Sequence, residues 1–394
     1  MIQSVSDADT KVGASFFENN RHIGGSELSS YNIIAANNYK NSTSLINLNY
    51  ISNDSTIATD CSLSNLSNLT ESLVCNCDGA GACSVEVTGL VGYSGPVSFD
   101  YTVSNSSLSL ASNISTVSFN LNYIGASPYE SWIKVPANAG GYSLAEFYVM
   151  KYEAKAWDDS TVNGSIDGGE LHNDNVNSPA LGSHTPVSVE VSLPWASISA
   201  NDSATKCEAL GAKYHLISNE EWMAIARDIE NVPANWTTGT VGSGYLICGN
   251  SGKTTCGYDG ADPEAGATRD ARAKLLLSNG KEIFDFSANV AEWVDWDKDT
   301  VGFQATSASC SGTVFTQLPS IPGGCGLSDG QYNTSNGTYT SSEEVGKMYT
   351  GSGTPALRGG IWVAGQSSGV FNIVIGNSVT YTSASAGFRC VYRP

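Results

Sequence analysis

Alternation of apolar and polar residues is the dominant pattern in the first third of the chain. Four segments follow the two-residue period of a half-buried strand, and clusters of Gly, Asn, Ser and Asp separate them: SLINLNYI at 44–51, SVEVTGL at 84–90, VSFDYTV at 97–103 and STVSFNLNYI at 115–124. This spacing predicts an all-β, immunoglobulin-like sandwich over residues 41–125. An N-terminal segment of strand and linker is expected at 1–40.

The pattern changes after a linker that we expect at 127–136. The sequence predicts a strand at 147–157, FYVMKYEAKAW, and another strand at 186–199, PVSVEVSLPWASIS. An Asn-Gly pair at 279–280 predicts the turn of a hairpin.

Two helices are predicted between these strands. The first can be capped by Asn201, Asp202 or Ser203 and stops at Gly211. The second begins with a capping box in which the Ser218 and Glu221 side chains bond to each other's backbone amides. Residues 127–394 are therefore expected to form a mixed α+β domain.

Composition narrows the range of partners. The chain has 394 residues, of which 41% are hydrophobic and 14% charged, as in a globular protein. Its formal net charge of −19 argues against binding to nucleic acid or to anionic membranes. No apolar run approaches the length of a membrane-spanning helix, so no direct membrane insertion is expected.

The chain has ten cysteines and four histidines, which are His22, His172, His184 and His215. None of these residues has the spacing of a zinc site, and this argues against structural zinc. Disulfides in an oxidising compartment are the better interpretation, so an extracellular or cell-surface location is expected. The start of the chain is not a signal peptide, and a leader or anchor is therefore expected upstream.

Several cysteine pairs bracket short loops. Cys77 and Cys83 could close one loop and Cys61 could pair with Cys75, although four cysteines allow three pairings. Cys248 and Cys256 bracket GNSGKTT, which lacks the spacing of a phosphate-binding loop. Cys310 and Cys325 bracket a further loop.

The C-terminal stretch, residues 357–394, has an unusual composition. It opens with Arg358-Gly359-Gly360 and closes with Gly387-Phe388-Arg389-Cys390, and no acid, base, histidine or thiol lies between the two arginines. Catalysis needs titratable groups or a metal, whereas a recognition surface needs only shape, hydroxyls, amides and aromatic area. The stretch therefore favours recognition.

Alternation within this stretch predicts one packed and one open face. Phe371, Ile373 and Ile375 share one side of a strand, and Asn372, Val374 and Gly376 share the other. The alternative is that residues 370–375 form a strand that is buried on both faces, because such a strand also has the sequence pattern of a short apolar run.

Two resemblances follow from these motifs. GYSGPVSFDYTVSN at 92–105 resembles the tandem immunoglobulin-like or cadherin-like repeats of large bacterial surface proteins, in which such a domain either contacts a ligand or acts as a spacer. The order FYVMKYEAK, PWASIS, CEALGAKYHLISNEEW, SANVAEW, LRGG and GFRCV resembles the C-type lectin fold in its formylglycine-generating-enzyme-like form. This second resemblance covers residues 127–394 and implies a disulfide between Cys207 and Cys390.

That family includes copper-dependent oxidases of sulfatase cysteines, iron-dependent sulfoxide synthases and ligand-display proteins. The copper-binding cysteines of the oxidases match Ala364 and Gly369 here, and neither residue binds copper. The histidines of this domain lack facial-triad spacing. The resemblance therefore implies a non-catalytic protein without a catalytic cofactor.

The C-terminal stretch resembles the variable region of proteins diversified by diversity-generating retroelements. Trp362, Phe371, Ile373 and Ile375 match fixed apolar positions. The resemblance implies a ligand-binding role for the residues at diversified positions, which are Val363, Ala364, Gln366, Ser367, Asn372, Val374, Gly376, Asn377, Tyr381, Ser383 and Ser385.

The SANVAEW motif resembles a family motif that holds structural calcium. Asn289, the carbonyl of Ala291 and Glu292 are the matching positions, and oxygen ligands suit Ca²⁺. Asp295, Asp297 and Asp299 follow at alternate positions. The alternative is a solvated acidic turn.

The sequence alone leaves three functional hypotheses. The leading hypothesis is a surface-displayed receptor or adhesin that binds a protein or cell-surface ligand through residues 357–394. The alternatives are an oxidase of the formylglycine-generating type and a structural subunit of a surface layer or phage fibre.

Overall fold

The computed structural model describes residues 6–7, 10–12, 28–35, 38–39, 44–52, 55–70, 73–87, 90, 93–167, 169–172, 182–260, 269–296, 315–317, 332, 334–335, 339, 343–350 and 355–394. The chain divides into two compact units, Met1–Ile124 and Gly125–Pro394. Both consist mostly of β-sheet. The described residues include two α-helices, both in the second unit.

The first unit contains thirteen described strands: β1 (Ser6–Asp7), β2 (Thr10–Val12), β3 (Leu28–Ser30), β4 (Ile33–Ala35), β5 (Asn38–Tyr39), β6 (Ser44–Leu48), β7 (Tyr50–Ser52), β8 (Asp60–Ser67), β9 (Cys75–Cys77), β10 (Cys83–Val87), β11 (Gly95–Asn105), β12 (Leu110–Ala111) and β13 (Ser115–Asn122). The largest sheet has the order β1-β2-β4-β13-β11-β12, with β5 also paired to β13 and β8 to β11. Smaller sheets have the orders β6-β10-β9 and β3-β7.

The predicted alternation of this unit is confirmed in β11. Val97, Phe99, Tyr101 and Val103 point into the core and are at most 3% exposed, while the residues between them are partly open to solvent. Strand β4 pairs in parallel with β13. The segment expected at 1–40 therefore contributes strands to the main sheet.

Two disulfides lie in this unit. The structure joins Cys61 to Cys75 and Cys77 to Cys83, which are the pairs suggested by the loops they bracket. Both link residues in or beside strands β8, β9 and β10.

The second unit contains helices α1 (Ala200–Glu208) and α2 (Asn219–Glu230). Its described strands are β14 (Trp132–Val135), β15 (Phe147–Met150), β16 (Lys155–Trp157), β17 (Thr185–Val187), β18 (Tyr214–Leu216), β19 (Gly249–Asn250), β20 (Gly257–Tyr258), β21 (Lys274–Leu276), β22 (Glu282–Phe284), β23 (Ala291–Val294), β24 (Phe315–Gln317), β25 (Lys347–Thr350), β26 (Ala356–Arg358), β27 (Ile373–Ile375), β28 (Ala386–Phe388) and β29 (Cys390–Tyr392). The largest sheets have the orders β14-β15-β29-β18 and β24-β25-β27-β26-β23-β28.

Helix α2 is the central element of the core. The predicted capping box is present, with the Glu221 amide donating to Ser218 Oγ and the Ser218 amide donating to Glu221 Oε2. Trp222 and Ile225 are fully buried among the side chains of the six-stranded sheet and of β15. Helix α2 is therefore part of the hydrophobic core.

Helix α1 begins earlier than predicted. Its N-cap is Ser199, whose Oγ accepts a hydrogen bond of 3.2 Å from the Asp202 amide. The prediction of Asn201 to Ser203 as the cap was wrong because three adjacent capping residues obscure which one lies outside the first turn. The predicted hairpin is present, since β21 and β22 pair on either side of Gly280.

The strand predicted at 147–157 is divided into β15 and β16, and two further segments differ from the sequence prediction. Residues 127–136 are not a simple linker, because they contain β14, which pairs with β15. Glu130 is buried there and accepts hydrogen bonds from the amides of Ala126, Ser127 and Ser188 and from Trp132. Burial raises the pKa of Glu130 to about 7.

The second of these two segments is 186–199, where the predicted strand continues only to Val187 in β17. The rest is loop. Ser192 and Ser197 have positive φ there, and the left-handed conformation interrupts an extended strand.

Two disulfides staple the second unit. Cys207 of α1 is bonded to Cys390 of β29, and Cys248 to Cys256. Cys310 and Cys325 lie outside the described residues. In the described part of the chain, no helix has the length and apolarity to cross a membrane.

Candidate binding surface

The C-terminal stretch supplies three strands to the six-stranded sheet and the loops between them. One residue from each of five strands lies in a single row across it: Tyr349, Val374, Leu357, Trp293 and Phe388. Paired residues project from the same face of a sheet. Trp293 and Phe388 are fully buried at one end of this row, while Val374 and Tyr349 at the other end are half-buried.

Strand β27 has one packed and one open side. Ile373 and Ile375 are fully buried against the core, and Val374 between them reaches solvent. The alternation predicted for these three residues is therefore confirmed. Val374 also excludes the alternative of a strand that is buried on both faces.

Tyr381 lies over the same face of the sheet as Val374. Its ring meets the Trp293 ring edge-on, with 6.3 Å between centroids, and 43% of the residue is exposed. Val374 and Trp293 are two strands apart, which corresponds to roughly 10 Å. An exposed aromatic and a half-exposed aliphatic side chain thus share one surface.

A second loop, at 361–368, presents Val363. Its Trp362 amide donates to the carbonyl of Asn289 at 3.1 Å, and its Gly365 amide donates to the carbonyl of Ser251 at 2.8 Å. Val363 is 67% exposed. The loop is thus attached to two neighbouring segments through its backbone while its tip remains open.

The two loops converge at the start of β23. Trp362 bonds to Asn289, and the amide of Ala291, two residues further on, donates to the carbonyl of Ser385 at 2.8 Å. Two residues of chain span at most about 7.6 Å. We therefore treat the exposed residues of both loops and of β27 as one patch, the C-terminal surface, defined by Val363, Val374, Val379 and Tyr381.

Arg358 and Trp222 lie buried under this surface and bond to other groups of the protein. The fully buried Arg358 donates from Nε to Asn219 Oδ1 at 3.0 Å, and burial lowers its pKa to about 9. Trp222 Nε1 donates to the Val370 carbonyl at 2.7 Å, and the Trp222 ring stacks on Phe286. The Arg-Gly-Gly motif therefore positions the loop rather than facing a ligand.

The second arginine of the stretch is also structural. Arg389 Nε donates to both carboxylate oxygens of Glu292, at 2.8 and 2.9 Å, and its Nη1 donates to the carbonyls of Met150 and Lys151. Burial raises the pKa of Glu292, and the Arg389 guanidinium opposes that shift. Both ends of the stretch are thus anchored in the core by a buried guanidinium.

Most residues expected to bind ligand reach solvent. The fully or partly exposed ones are Val363, Ala364, Ser367, Val374, Gly376, Asn377, Tyr381, Ser383 and Ser385. The side chain of Gln366 lies outside the described part. Among the positions expected to be fixed, Phe371, Ile373 and Ile375 are fully buried, and Trp362 is half-buried.

Asn372 does not lie on the surface, and its prediction as an exposed position was wrong. It is 2% exposed, and its Nδ2 donates to the carbonyl of Ser367 at 2.5 Å. The residue precedes β27 in a turn closed by a bond from its amide to the Gly369 carbonyl. Strand alternation therefore does not extend to it.

Two positions that reach solvent escaped the sequence argument. Val379 is 39% exposed in the loop at 376–385, and the half-buried Tyr349 lies beside Val374 on the neighbouring strand β25. An exposed valine in a polar loop was a signal available from the sequence. The position of Tyr349 depends on parallel pairing between distant segments, which the sequence does not reveal.

The predicted calcium ligands are engaged with protein groups. Asn289 Nδ2 donates to Glu153 Oε2 at 2.7 Å, and Asn289 Oδ1 accepts from Asn250 at 3.2 Å. Glu292 is paired with Arg389, which occupies both of its oxygens. These residues, with Ala291 in β23, do not fit a calcium site, because a cation would have to displace the buried guanidinium. Asp297 and Asp299 lie outside the described residues.

The C-terminal surface carries no group suited to acid–base or nucleophilic chemistry except the phenol of Tyr381. Among the described residues, no group of three or more His, Cys, Asp and Glu side chains is arranged to hold a metal ion. The surface instead offers hydroxyls, the Asn377 amide and apolar area. This inventory suits reversible recognition.

Comparison with known proteins does not add to this inventory. The chain matches no protein-family model, and a search of curated proteins finds no similar sequence. The functional argument therefore rests on the residues and their geometry.

Proposed function

We propose that this protein is a non-catalytic binding protein that recognises a protein or cell-surface ligand through the C-terminal surface. One observation carries the proposal. In strand β27 and its loops, the described side chains at expected variable positions reach solvent, apart from Asn372, while Phe371, Ile373 and Ile375 are fully buried. Such a division lets the outer side chains change without disturbing the core.

The proposal includes an architecture. The first unit would be an immunoglobulin-like stalk, and the second a C-type lectin fold of the formylglycine-generating-enzyme-like type whose C-terminal region is diversified by a retroelement. The described residues, mostly β-sheet with two α-helices, the order of the sequence motifs and the Cys207–Cys390 disulfide are compatible with it. The four disulfides among the described residues favour an exported protein displayed at a cell surface.

The site geometry favours binding over the oxidase alternative. That activity would need thiols at positions 364 and 369, which are Ala and Gly. Gly369 is buried, and a Cβ added there would lie 2.4 Å from the carbonyl oxygen of Val345. The backbone around this position is thus closed to a cysteine, which supports a function in ligand display.

A matched pair of variants tests the proposal. The first combines Val363→Ser, Val374→Thr and Tyr381→Ser. The control combines Tyr129→Ser, Val191→Thr and Val241→Ser, which replace side chains of the same type that are exposed elsewhere in the second unit. Both variants and the parent are screened against protein arrays and whole cells after their melting temperatures have been compared.

The proposal expects the surface variant to melt like the parent and to lose or exchange its partners, while the control variant keeps them. If the surface variant folds and keeps every partner of the parent, the C-terminal surface is not the recognition site.

A further inference from the structure

A groove of about 650 Å³ lies on the outer face of the main sheet of the first unit. Its floor contains a row across four strands, in which Ile34, Ser118, Ser98 and Ser67 are directly paired neighbours. Asn120 pairs with Pro96 beside this row. The volume is within the range of roughly 300–1,000 Å³ that is typical of small-molecule sites.

Polar side chains in the groove are left open. Ser67, Ser98, Ser118 and Asn120 make no side-chain hydrogen bond to any other residue that the structure describes. Elsewhere on the same face, polar side chains bond to each other across strands. The Ser62 and Thr102 hydroxyls are 2.6 Å apart, and Thr116 Oγ1 donates to Asp100 at 2.6 Å. The groove therefore concentrates unused donors and acceptors.

Hydrogen bonds within the protein hold the rim of the groove in place without a ligand. Asn68, in the left-handed conformation, donates from Nδ2 to the Tyr93 hydroxyl at 3.0 Å and to the Pro96 carbonyl at 3.2 Å. The Tyr93 hydroxyl also donates to the Pro96 carbonyl at 2.8 Å. A register shift between β11 and β8 lies next to Ser98. A bulge of this kind re-aims side chains beside a site.

The lining favours a neutral, hydroxyl-rich ligand. Among the described residues that line it, none has an ionisable side chain, although the chain has a formal charge of −19. Neighbouring serines lie at the strand spacing of about 4.8 Å, comparable with the width of a sugar ring. Ile34, which is 59% exposed, and Pro96 give apolar contact for the C–H face of a sugar.

A peptide fits this groove less well. Its floor is the face of a sheet whose central strands β11 and β13 are paired on both sides. An incoming peptide backbone therefore finds no open strand edge to extend. We propose that the groove of the first unit binds a neutral oligosaccharide. This site lies in a different unit from the C-terminal surface and does not depend on the function proposed for that surface.

The full chain is titrated with maltotriose, cellotriose, N-acetylchitotriose and mannotriose by calorimetry and saturation-transfer NMR. Trigalacturonate and an uncharged Ser/Gly heptapeptide serve as anionic and peptide probes. The proposal expects at least one neutral trisaccharide to bind at millimolar concentration or below and the other two probes to bind at least about tenfold more weakly. Absence of binding by all four neutral trisaccharides overturns it, as does equal or tighter binding of either other probe.

Paired variants then locate the site. The variant that combines Ser98→Val and Ser118→Val removes two hydroxyls of the groove floor. Valine is chosen because it favours β-strands. The control, Ser62→Val with Thr102→Val, removes two hydroxyls that already bond to each other on the same face. The groove variant is expected to raise the Kd of the bound trisaccharide at least about tenfold, and the control less than about twofold.

Equal effects of the two double variants, or no effect of the groove variant, overturn the assignment. If the groove variant does not fold, Asn120→Ala replaces it, because Asn120 is an exposed side chain that the described structure leaves without a side-chain partner. The same loss of binding is then expected.

Discussion

Individual glycines determine where the loop at 361–368 begins and ends. Gly360 has φ of 87° and Gly369 φ of 146°, both in regions that disfavour other residues. A Cβ at Gly360 would lie 2.7 Å from Ser368 Cα, and one at Gly369 would lie 2.4 Å from the Val345 carbonyl oxygen. Close backbone approach therefore holds both ends of the loop, while Val363 in the middle contributes little to its conformation.

A pair of glycine substitutions tests this division. Gly369→Ala should lower the free energy of unfolding of the second unit by about 3 kcal/mol, because strain and a backbone clash combine. Gly365→Ala, at φ of 56° with open space around its Cβ, should cost only about 1–2 kcal/mol. Urea unfolding followed by tryptophan fluorescence measures both, since all eight tryptophans lie in the second unit. Equal losses would show that the loop ends are not fixed by packing.

At the scale of elements, the C-terminal stretch depends on a covalent link to a distant helix. The disulfide between Cys207 of α1 and Cys390 of β29 spans 183 residues, whereas the Cys248–Cys256 disulfide spans 8. A cross-link stabilises mainly by limiting the unfolded chain, and the effect grows with the logarithm of the loop length. The long-range link therefore contributes more to keeping the last strand in its sheet.

Removal of each link gives a quantitative comparison. Cys207→Ala with Cys390→Ala should lower the free energy of unfolding by about 5 kcal/mol, and Cys248→Ala with Cys256→Ala by about 2.5 kcal/mol. Urea unfolding of the two double variants under non-reducing conditions measures the difference. A smaller loss for the first pair would contradict a stapling role.

Much of the secondary structure could be predicted because its causes are local. The alternation in β11, the capping box of α2 and the Asn-Gly turn at 279–280 each depend on residues within a few positions. The Cys207–Cys390 disulfide followed from the family resemblance and not from spacing.

Other features depend on contacts between distant segments and were missed for that reason. Strand β14 belongs to a sheet in which it pairs with β15, and β15 pairs with β29 from the end of the chain. The buried position of Asn372, in contrast, has a local cause, since its side chain bonds to the Ser367 carbonyl in a turn that strand alternation does not reveal. His172 and His184 show no ligand spacing in the sequence, yet the fold brings their rings to 5.3 Å. Burial and the neighbouring His172 lower the pKa of His184.

For the candidate site, the sequence indicated which side of β27 faces outward, but it did not indicate the partners of the residues in the proposed calcium motif. A short motif such as SANVAEW does not show that Glu292 faces Arg389, which lies 97 residues away. The outward side of β27, in contrast, follows from a two-residue period.

At the scale of the whole molecule, the proposed function assigns stability and recognition to different residues of the second unit. Arg358, which is paired with Ile373 on the core side of the sheet, and the stacked Trp222 and Phe286 rings are buried, while residues 359–388 carry no formal charge. The protein as a whole is strongly acidic, so this neutral surface differs from the rest of the molecule. Binding through it would depend on shape and hydrogen bonds more than on salt bridges.

The central claim is that the C-terminal surface can change while the fold stays. Its most direct test is the fraction of folded members in two display libraries, measured by resistance to protease. One library randomises Val363, Val374, Asn377, Tyr381 and Ser383, and the other randomises Phe371, Ile373 and Ile375. We predict that most members of the first library fold as well as the parent and that few members of the second do. A first library that loses the fold as often as the second would contradict the account and identify the stretch as core.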